Sequence, residues 1–259
     1  EAVHSIMEDK IFGASGHQVV VEEFITGPEV SVLSFTDGKT VVPMVSSKDH
    51  KRAYDGDRGL NTGGMGTISP NPHYSGEMAR RCMKEIFQPT IDAMREEGRP
   101  FQGCLYFGLM LTQDGPKVIE YNSRFGDPET QVVLPRLKTD LVEILEACID
   151  GTLKELDIQW SDEAAACVVM ASGGYPKSYP KGIEIKGLDE NGQISGATVY
   201  HAGTVYRDGR FFTNGGRVLG VTACGAGLDE ALEKAYDAVE RIFFDGAHYR
   251  KDIGKIGIQ

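Results

Sequence analysis

Glu120, Asn122 and Arg124 stand at alternate positions of the run VIEYNSRFGDPETQV, residues 118–132. Side chains two apart on a β-strand share a face. A carboxylate and an amide oxygen side by side suit a hard, oxygen-seeking cation such as Mg²⁺. Arg124 joins that face if the strand continues, and a fixed positive charge beside a metal is what a transferring phosphoryl group requires. Taken alone, the pattern fits a solvated strand face equally well. A second segment, VVVEEFITGPE at residues 19–29, is an apolar run that ends in carboxylates and turns through Gly27. Its backbone can offer hydrogen-bonding groups to an adenine edge, and a carboxylate just beyond can take ribose hydroxyls. An edge turn with surface glutamates explains it as well.

Residues 45–72 lack apolar periodicity; they are charged at first (SSKDHKR) and then glycine-rich (NTGGMG). A structureless loop this long in a compact domain is usually functional or disordered, and the bunched charges and glycines favour function. Several familiar signatures are absent: GxxxxGK[ST] and HExxH, and GxSxG. Gly225 and Gly227 precede a helical pattern, but Glu230 occupies the third glycine position of a dinucleotide loop. A strand-to-helix turn is enough there. His50, His201 and His248 share no ligand-like spacing and read as structural or solvated.

The elements that must position these residues follow from periodicity. Ala2, Val3, Ile6 and Met7 have helical spacing. Residues 13–16 read as a turn, 18–25 as a buried strand, and 29–36 as a second strand. Asp37-Gly38 signals a hairpin to residues 40–44. Ser75 is placed to cap a helix over 76–97, with an apolar stripe through Met78, Cys82 and Ile86. Pro89 should kink that helix, and Gly98 should end it. Residues 104–112 and 116–121 read as paired central strands around Asp114-Gly115, and Thr139 as the cap of a helix that Gly151 ends. From about Trp160, short strands at 164–171, 183–185, 198–202, 204–206, 210–213 and 217–223 alternate with glycine turns. An amphipathic helix over 228–243 follows. The fold class expected is α+β.

Composition narrows the function. The 259 residues carry 27 Lys+Arg against 38 Asp+Glu, a net charge of −11, with 41% hydrophobic and 25% charged residues. That is globular composition and enough chain for one or two domains. The acidic balance disfavours unspecific binding to nucleic acid or anionic membranes, so neither is expected as a partner. No run approaches the ~20 apolar residues of a membrane span, and no signal-peptide pattern is seen. The five cysteines are odd in number and form no CxxC pair, so reduced thiols in a cytoplasmic protein are expected. The chain starts at Glu1, without Met and inside a helical pattern, and is expected to be a piece of a longer protein.

Taken together, the strand ending Glu-Glu-Phe, the Gly-x-Glu turn, the glycine-rich loop and Glu-x-Asn-x-Arg resemble the ATP-grasp ligases. Longer strings narrow the match: SSKDHKR (46–52), NTGGMG (61–66), RFGDPETQ (124–131), GGYP (173–176), HAGT (201–204), NGGRVL (214–219) and RKDIG (250–254). They resemble the glycinamide ribonucleotide synthetases, or phosphoribosylamine–glycine ligases, and cover most of the chain. The resemblance implies joining of glycine to 5-phosphoribosylamine through a glycyl phosphate, with ATP and Mg²⁺ (or Mn²⁺), in purine synthesis. By match, Glu22 and the backbone near Phe24 would bind adenine and Glu29 the ribose. Glu120 and Asn122 would hold the metal. Arg124 would stabilise transferring charge, and Asp127 would orient the glycine amine. Asp49, Lys51 and Arg52 would face substrate phosphates, and Asn61, Gly63 and Gly64 would lie in a loop whose amides approach phosphate.

The resemblance also implies an architecture. Residues 1–25 would be a remnant of the small ATP-grasp lobe, 26–158 the large lobe, and 159–259 a C-terminal β-rich domain. The strand before Glu120 carries no acid where many ATP-grasp proteins have a further metal carboxylate. The family's N-terminal domain and the phosphate-binding lysine of its small lobe would both precede Glu1. The expectation is therefore a monomer that is inactive, or nearly so, by itself. Two alternatives stand beside it: a non-catalytic nucleotide-binding fragment, and another ATP-grasp carboxylate–amine ligase. HAGT and NGGRVL are expected to serve packing between domains rather than chemistry.

Overall fold

In a computed structural model the protein is described over residues 1–255; the last four residues of the expected C-terminal region lie outside them. A short helix, α1 (Ala2–Met7), and a 3₁₀ turn (Gly13–His17) lead into an extended segment. The buried strand expected over 18–25 does not form. Val20, Val21 and Phe24 stand 84%, 87% and 91% exposed. Among the described residues no strand pairs with this segment, so its apolar side chains have no layer to enter. An ion pair from Lys117 to Glu23 (2.7 Å) ties it down.

β1 (Glu29–Asp37), β2 (Val41–Pro43), β7 (Gln102–Thr112) and β8 (Gly115–Asn122) form an antiparallel sheet in the order β2-β1-β7-β8. The hairpin at Asp37-Gly38 forms as expected: Gly38 has φ +86°, and the Asp37 carboxylate accepts from the Lys39 and Thr40 amides. One sheet face, with Val30, Val32, Leu105, Phe107 and Leu109, packs on α2 (Gly76–Cys82) and α3 (Gln88–Glu96). Ser75 caps α2 through the Met78 amide (3.2 Å). A π-helical turn over Met83–Phe87 separates the two helices; it absorbs the irregularity that Pro89, which lacks an N–H, imposes on the ladder.

The opposite face carries Leu33, Phe35, Cys104 and Tyr106. It packs on α4 (Thr130–Val133) and α5 (Leu141–Asp150). Asp140, not Thr139, caps α5, accepting from the Val142 amide (2.7 Å). The Thr139 hydroxyl is taken by the Gln159 amide (2.7 Å).

Residues 45–72 are ordered into strands rather than left as a loop. β3 (Lys48–Asp49) and β6 (Gly66–Ser69) flank a hairpin of β4 (Arg52–Tyr54) and β5 (Arg58–Asn61). Each strand is two to four residues long, too short for a readable period. β3 and β6 join a five-stranded sheet, β11-β14-β9-β6-β3, built with β9 (Ala164–Ala171), β11 (Thr198–His201) and β14 (Arg217–Gly225). The sheet therefore takes strands from both sides of residue 158. β9 is wholly buried because its two faces serve two cores. Ala164, Ala166, Val168 and Met170 meet α6 (Leu228–Val239), whereas Ala165 and Cys167 join the α4–α5 side. A small sheet of β10 (Glu184–Ile185), β12 (Thr204–Arg207) and β13 (Arg210–Thr213) completes the fold. α6 stops short of residue 243 because Phe243 and Lys186 exchange backbone hydrogen bonds (2.8 and 3.0 Å).

Candidate functional site

The sheet face that carries Leu33 and Phe35 changes character along its strands. In register, Glu29 and Ser31 of β1 lie beside Met110 and Gly108 of β7, and Gly108 and Tyr106 lie beside Glu120 and Asn122 of β8. Glu120 and Asn122 thus share a face, as the spacing predicts, with a bulge at Ile119 just before them. The other half of this face is sealed by α4 and α5, while Glu120 stands exposed and its carboxylate makes no hydrogen bond or ion pair among the described residues. Gly108 makes the arrangement possible: a Cβ there would stand 2.9 Å from Glu120 Cγ and 3.3 Å from the Tyr106 ring. Arg124 is not on this strand. β8 ends at Asn122, and the Arg124 guanidinium bonds the Phe125 carbonyl (2.9 Å) in the following bend.

β3 and the residues after it close over the polar end. Lys51 pairs with Glu29 (3.2 Å). Burial works against the lysine's charge, but Glu29, Glu120 and Asp49 outweigh it and raise its pKa. Asp49 accepts the His50 amide (2.7 Å). Burial first, and the charge of Glu129 second, push its carboxyl well above the usual range. Glu129, also raised by burial, accepts from Ser31 Oγ (3.2 Å), which is itself 2.9 Å from the Tyr106 hydroxyl. These two acids favour sharing a proton over holding two negative charges.

The loop over residues 61–66 packs against the signature run 124–131. A Cβ on Gly64, at φ +109°, would overlap Pro128 and stand 2.6 Å from Asp49 Oδ1. The sequence predicts that the loop's amides approach phosphate; in the structure those of residues 62–65 are engaged within the protein. Thr62, Gly63, Gly64 and Met65 donate to Lys51 O, Tyr175 Oη, Thr62 Oγ1 and His50 O. The glycines here serve close approach. Arg217, on β14, bonds the Gly63 and Asp127 carbonyls (2.6 and 2.8 Å) and the Asp127 carboxylate (3.0 Å).

The structure therefore brings Glu29, Asp49, Lys51, Glu120 and Asn122 together, with Gly63, Gly64 and Asp127 along one wall. Glu22 and Phe24 stand apart in the exposed segment. Arg52 and Asn61 face each other across the β4–β5 hairpin, where Arg52 bonds the Gly59 carbonyl (2.8 Å). Among the described residues no group of three or more His, Cys, Asp or Glu side chains converges on a metal position. Glu120 and Asn122, two unengaged oxygen donors over a glycine, are the pair whose chemistry fits a hard divalent cation. The three histidines are structural, bonded to Gly66 O, to Thr204 and Gly192 O, and to Ala53 O.

Two family models cover most of the chain. The ATP-grasp (A) domain of phosphoribosylglycinamide synthetase matches residues 1–130, and the C domain of the same enzyme matches residues 165–256. The chain belongs to the phosphoribosylglycinamide synthetase family. The phosphoribosylamine–glycine ligase of Caldanaerobacter subterraneus subsp. tengcongensis is 49% identical over 98% of this chain and 60% of its own length. The trifunctional purine biosynthetic protein adenosine-3 of Gallus gallus is 54% identical over 98% of this chain and 25% of its own. The chain thus spans at most three-fifths of these relatives. A crystal structure of phosphoribosylamine–glycine ligase from Thermotoga maritima superposes with a TM-score of 0.80 at 36% identity, covering 90% of this chain and 57% of that one. The biotin carboxylase domain of a thermophilic 2-oxoglutarate carboxylase shares the fold alone, with a TM-score of 0.64 at 14% identity over 95% of this chain and 54% of that one. The fold is an α+β ATP-grasp fold with a C-terminal β-rich part.

Sequence reasoning missed Glu129 and Arg217. Glu129 lies inside RFGDPETQ, but only burial distinguishes it from a surface acid. Arg217 lies inside NGGRVL, read there as packing between domains, but nothing local ties it to Asp127, because what aims it is a tertiary strand pairing.

Proposed function

We propose that this chain supplies the large-lobe part of an ATP-dependent ligase. The reaction would join glycine to 5-phosphoribosylamine, giving glycinamide ribonucleotide, ADP and phosphate. The supporting observation is the polar half-face where Glu29, Asp49, Lys51, Glu120 and Asn122 meet beside the Asp127 loop. A glycine carboxylate oxygen attacks the γ-phosphorus of ATP, and the bond to ADP breaks. The amine nitrogen of phosphoribosylamine then attacks the acyl carbon, phosphate leaves, and the nitrogen loses a proton. This chemistry asks for alignment and charge neutralisation rather than a protein nucleophile.

Glu29 would hold the ribose, and its partner Lys51 would turn to phosphate when nucleotide enters. Glu22 and the Phe24 backbone would meet adenine. Glu120 and Asn122 would hold a divalent cation, Mg²⁺ or Mn²⁺, which when bound neutralises phosphate charge. Asp127 would orient the glycine amine, and Arg124 would swing from the Phe125 carbonyl to the transferring group. Asp49 and Arg52, with the wall at Asn61, Gly63 and Gly64, would border the phosphoribosyl side. The five unbridged cysteines support a cytoplasmic setting, and the partners proposed are these small molecules. The exposed Glu22–Phe24 side supports a further reading: the chain by itself binds Mg–ADP and turns over slowly or not at all. Calorimetry with Mg–ADP on the chain and on Glu120→Ala tests this, alongside a phosphate-release assay with glycine and phosphoribosylamine. Equal nucleotide affinity in both proteins would overturn the metal assignment, and normal turnover would overturn the inactivity.

A further inference from the structure

Arg217 sits at the first position of β14, where the pairing with β9 is irregular: Arg217 faces Ala171 and Leu219 faces Met170, leaving Val218 as the extra residue. Such a bulge re-aims a side chain. Val218 enters the C-terminal core, and Arg217 points the other way, across to residues distant in sequence. Its Nη1 donates to Gly63 O (2.6 Å) and Asp127 O (2.8 Å), and its Nη2 donates to Asp127 Oδ2 (3.0 Å). The other carboxylate oxygen of Asp127 accepts from Gln131 Nε2 (2.9 Å), so both oxygens are fixed while the side chain stays half exposed. The guanidinium fits because Gly63 has no Cβ; one built there would stand 2.9 Å from Arg217 Cζ. Tyr175 completes the clamp from the C-terminal side by accepting the Gly63 amide (3.2 Å).

We propose that Arg217 is a positioning residue for the amino-acid substrate: it locks Asp127 and the 61–66 loop into one geometry and thereby sets the affinity for glycine. The proposal rests on the reading of Asp127 as the group that meets the glycine amine. A carboxylate fixed by a planar fork keeps its remaining lone pairs aimed in one direction, which an ammonium donor requires. Lysine has three N–H donors on a single nitrogen and cannot reproduce bonds that leave from both Nη1 and Nη2. The C-terminal part thus takes a share in the site through one side chain.

The test compares the chain with Arg217→Ala and Arg217→Lys. Mg–ADP affinity, glycine affinity in the presence of Mg–ADP, and melting temperature are measured for each. Both variants are expected to keep Mg–ADP affinity within about twofold, to lose glycine affinity at least about tenfold, and to melt cooperatively. Guanidinium ion at millimolar concentration is expected to restore glycine binding to Arg217→Ala and to leave the unaltered chain unchanged. A purely structural arginine would show a parallel loss of both ligands with no rescue, and that result overturns the proposal, as does undiminished glycine affinity. Glycine affinity that is lost in Arg217→Ala but intact in Asp127→Asn would overturn the reading of Asp127 and leave the clamp without its stated purpose. If the unaltered chain binds Mg–ADP but no glycine, the amino-acid site itself is refuted and the proposal with it.

Discussion

Replacing Arg250 with methionine removes a charge from the protein interior while keeping most of the side chain's volume. Arg250 is 1% exposed. Its guanidinium makes two bonds to Asp252 (2.7 and 2.9 Å), one to Asp57 (2.8 Å) and one to the Arg52 carbonyl (3.1 Å). It thereby fastens the β4–β5 hairpin to the end of the chain. Breaking a buried ion pair from one side costs about 3–5 kcal/mol. Here the Asp57 side chain is 70% exposed and rehydrates, whereas Asp252 is 21% exposed and keeps only the Gly56 amide (2.8 Å). One stranded carboxylate, not two, puts the expected loss near the lower end, about 3 kcal/mol. For a chain of this size that is a fall of roughly 6–12 °C in Tm.

The pH profile gives this prediction a second edge. Burial alone would push the Asp252 carboxyl up; the guanidinium and the Gly56 amide outweigh it and hold the group at about 2. A folded pKa below the unfolded value of 3.8 contributes stability above that value and loses it as pH falls toward 2. The stability difference between the chain and Arg250→Met should therefore be constant above about pH 5 and narrow below about pH 4. Urea denaturation across that range measures it. A difference under about 1 kcal/mol at neutral pH, the size of an exposed ion pair, would refute the reasoning, as would a gap that widens in acid.

Gly64→Ala should cost upwards of about 2 kcal/mol and displace the 61–66 loop, because its φ of +109° and its contacts with Pro128 and Asp49 leave no room for a Cβ; urea denaturation reads the loss, and a neutral result would refute the packing. Burial lowers the His50 pKa from 6.5 to about 4, so its neutral form contributes stability above pH 6.5 that is lost as pH falls toward 4. The advantage of the chain over His50→Gln should accordingly shrink by about 3 kcal/mol between pH 7 and pH 4, and a pH-independent difference would count against this. Cys82, Cys104, Cys148 and Cys167 are buried, and burial pushes the Cys104 and Cys167 thiols up to about 12. A chromogenic disulfide should then label the half-buried Cys224 slowly in the native chain and all five thiols after denaturation.

Wherever a residue's role is set by its own neighbours in sequence, the chain could be read directly. Ser75, the Asp37-Gly38 turn, the long strands β1, β7 and β8, and the shared face of Glu120 and Asn122 all follow from local periodicity and capping. What was not legible depends on partners far along the chain. Residues 18–25 have a strand's composition, but composition cannot report whether a layer exists to cover it. Residues 45–72 are opaque because strands of two to four residues carry no period, and β6, on which β3 pairs, is held by β9, some hundred positions away. The amides of the 61–66 loop illustrate the same limit for function. A glycine run offers donors in principle, but Tyr175 and Thr62 had already claimed them. The place of Arg124 off this face has a simpler reason: a period-2 argument holds only while the strand lasts, and β8 stops two residues earlier.

The charges at the polar half-face give a physical reason to expect nucleotide and metal to bind there together rather than in turn. Glu29, Asp49, Glu120 and Glu129 converge there against Lys51, with Arg217 at the margin and committed to Asp127. Burial raises Asp49 and Glu129, which relieves part of the repulsion by holding a proton. Glu29 is neutralised by Lys51. Glu120 alone remains exposed and unengaged, so the residual negative charge sits where a divalent cation would enter. A nucleotide arriving without metal would meet that charge and be repelled; metal alone would gain one carboxylate and one amide, too few ligands to hold it firmly. Arriving together, the metal supplies the charge that the phosphates need and the phosphates supply the oxygens that the metal lacks. ADP affinity should therefore fall steeply on chelation, and the effect should vanish in Glu120→Ala. An ADP affinity indifferent to divalent ions would show that Lys51 alone carries the phosphates and that the Glu120–Asn122 face is only solvated surface.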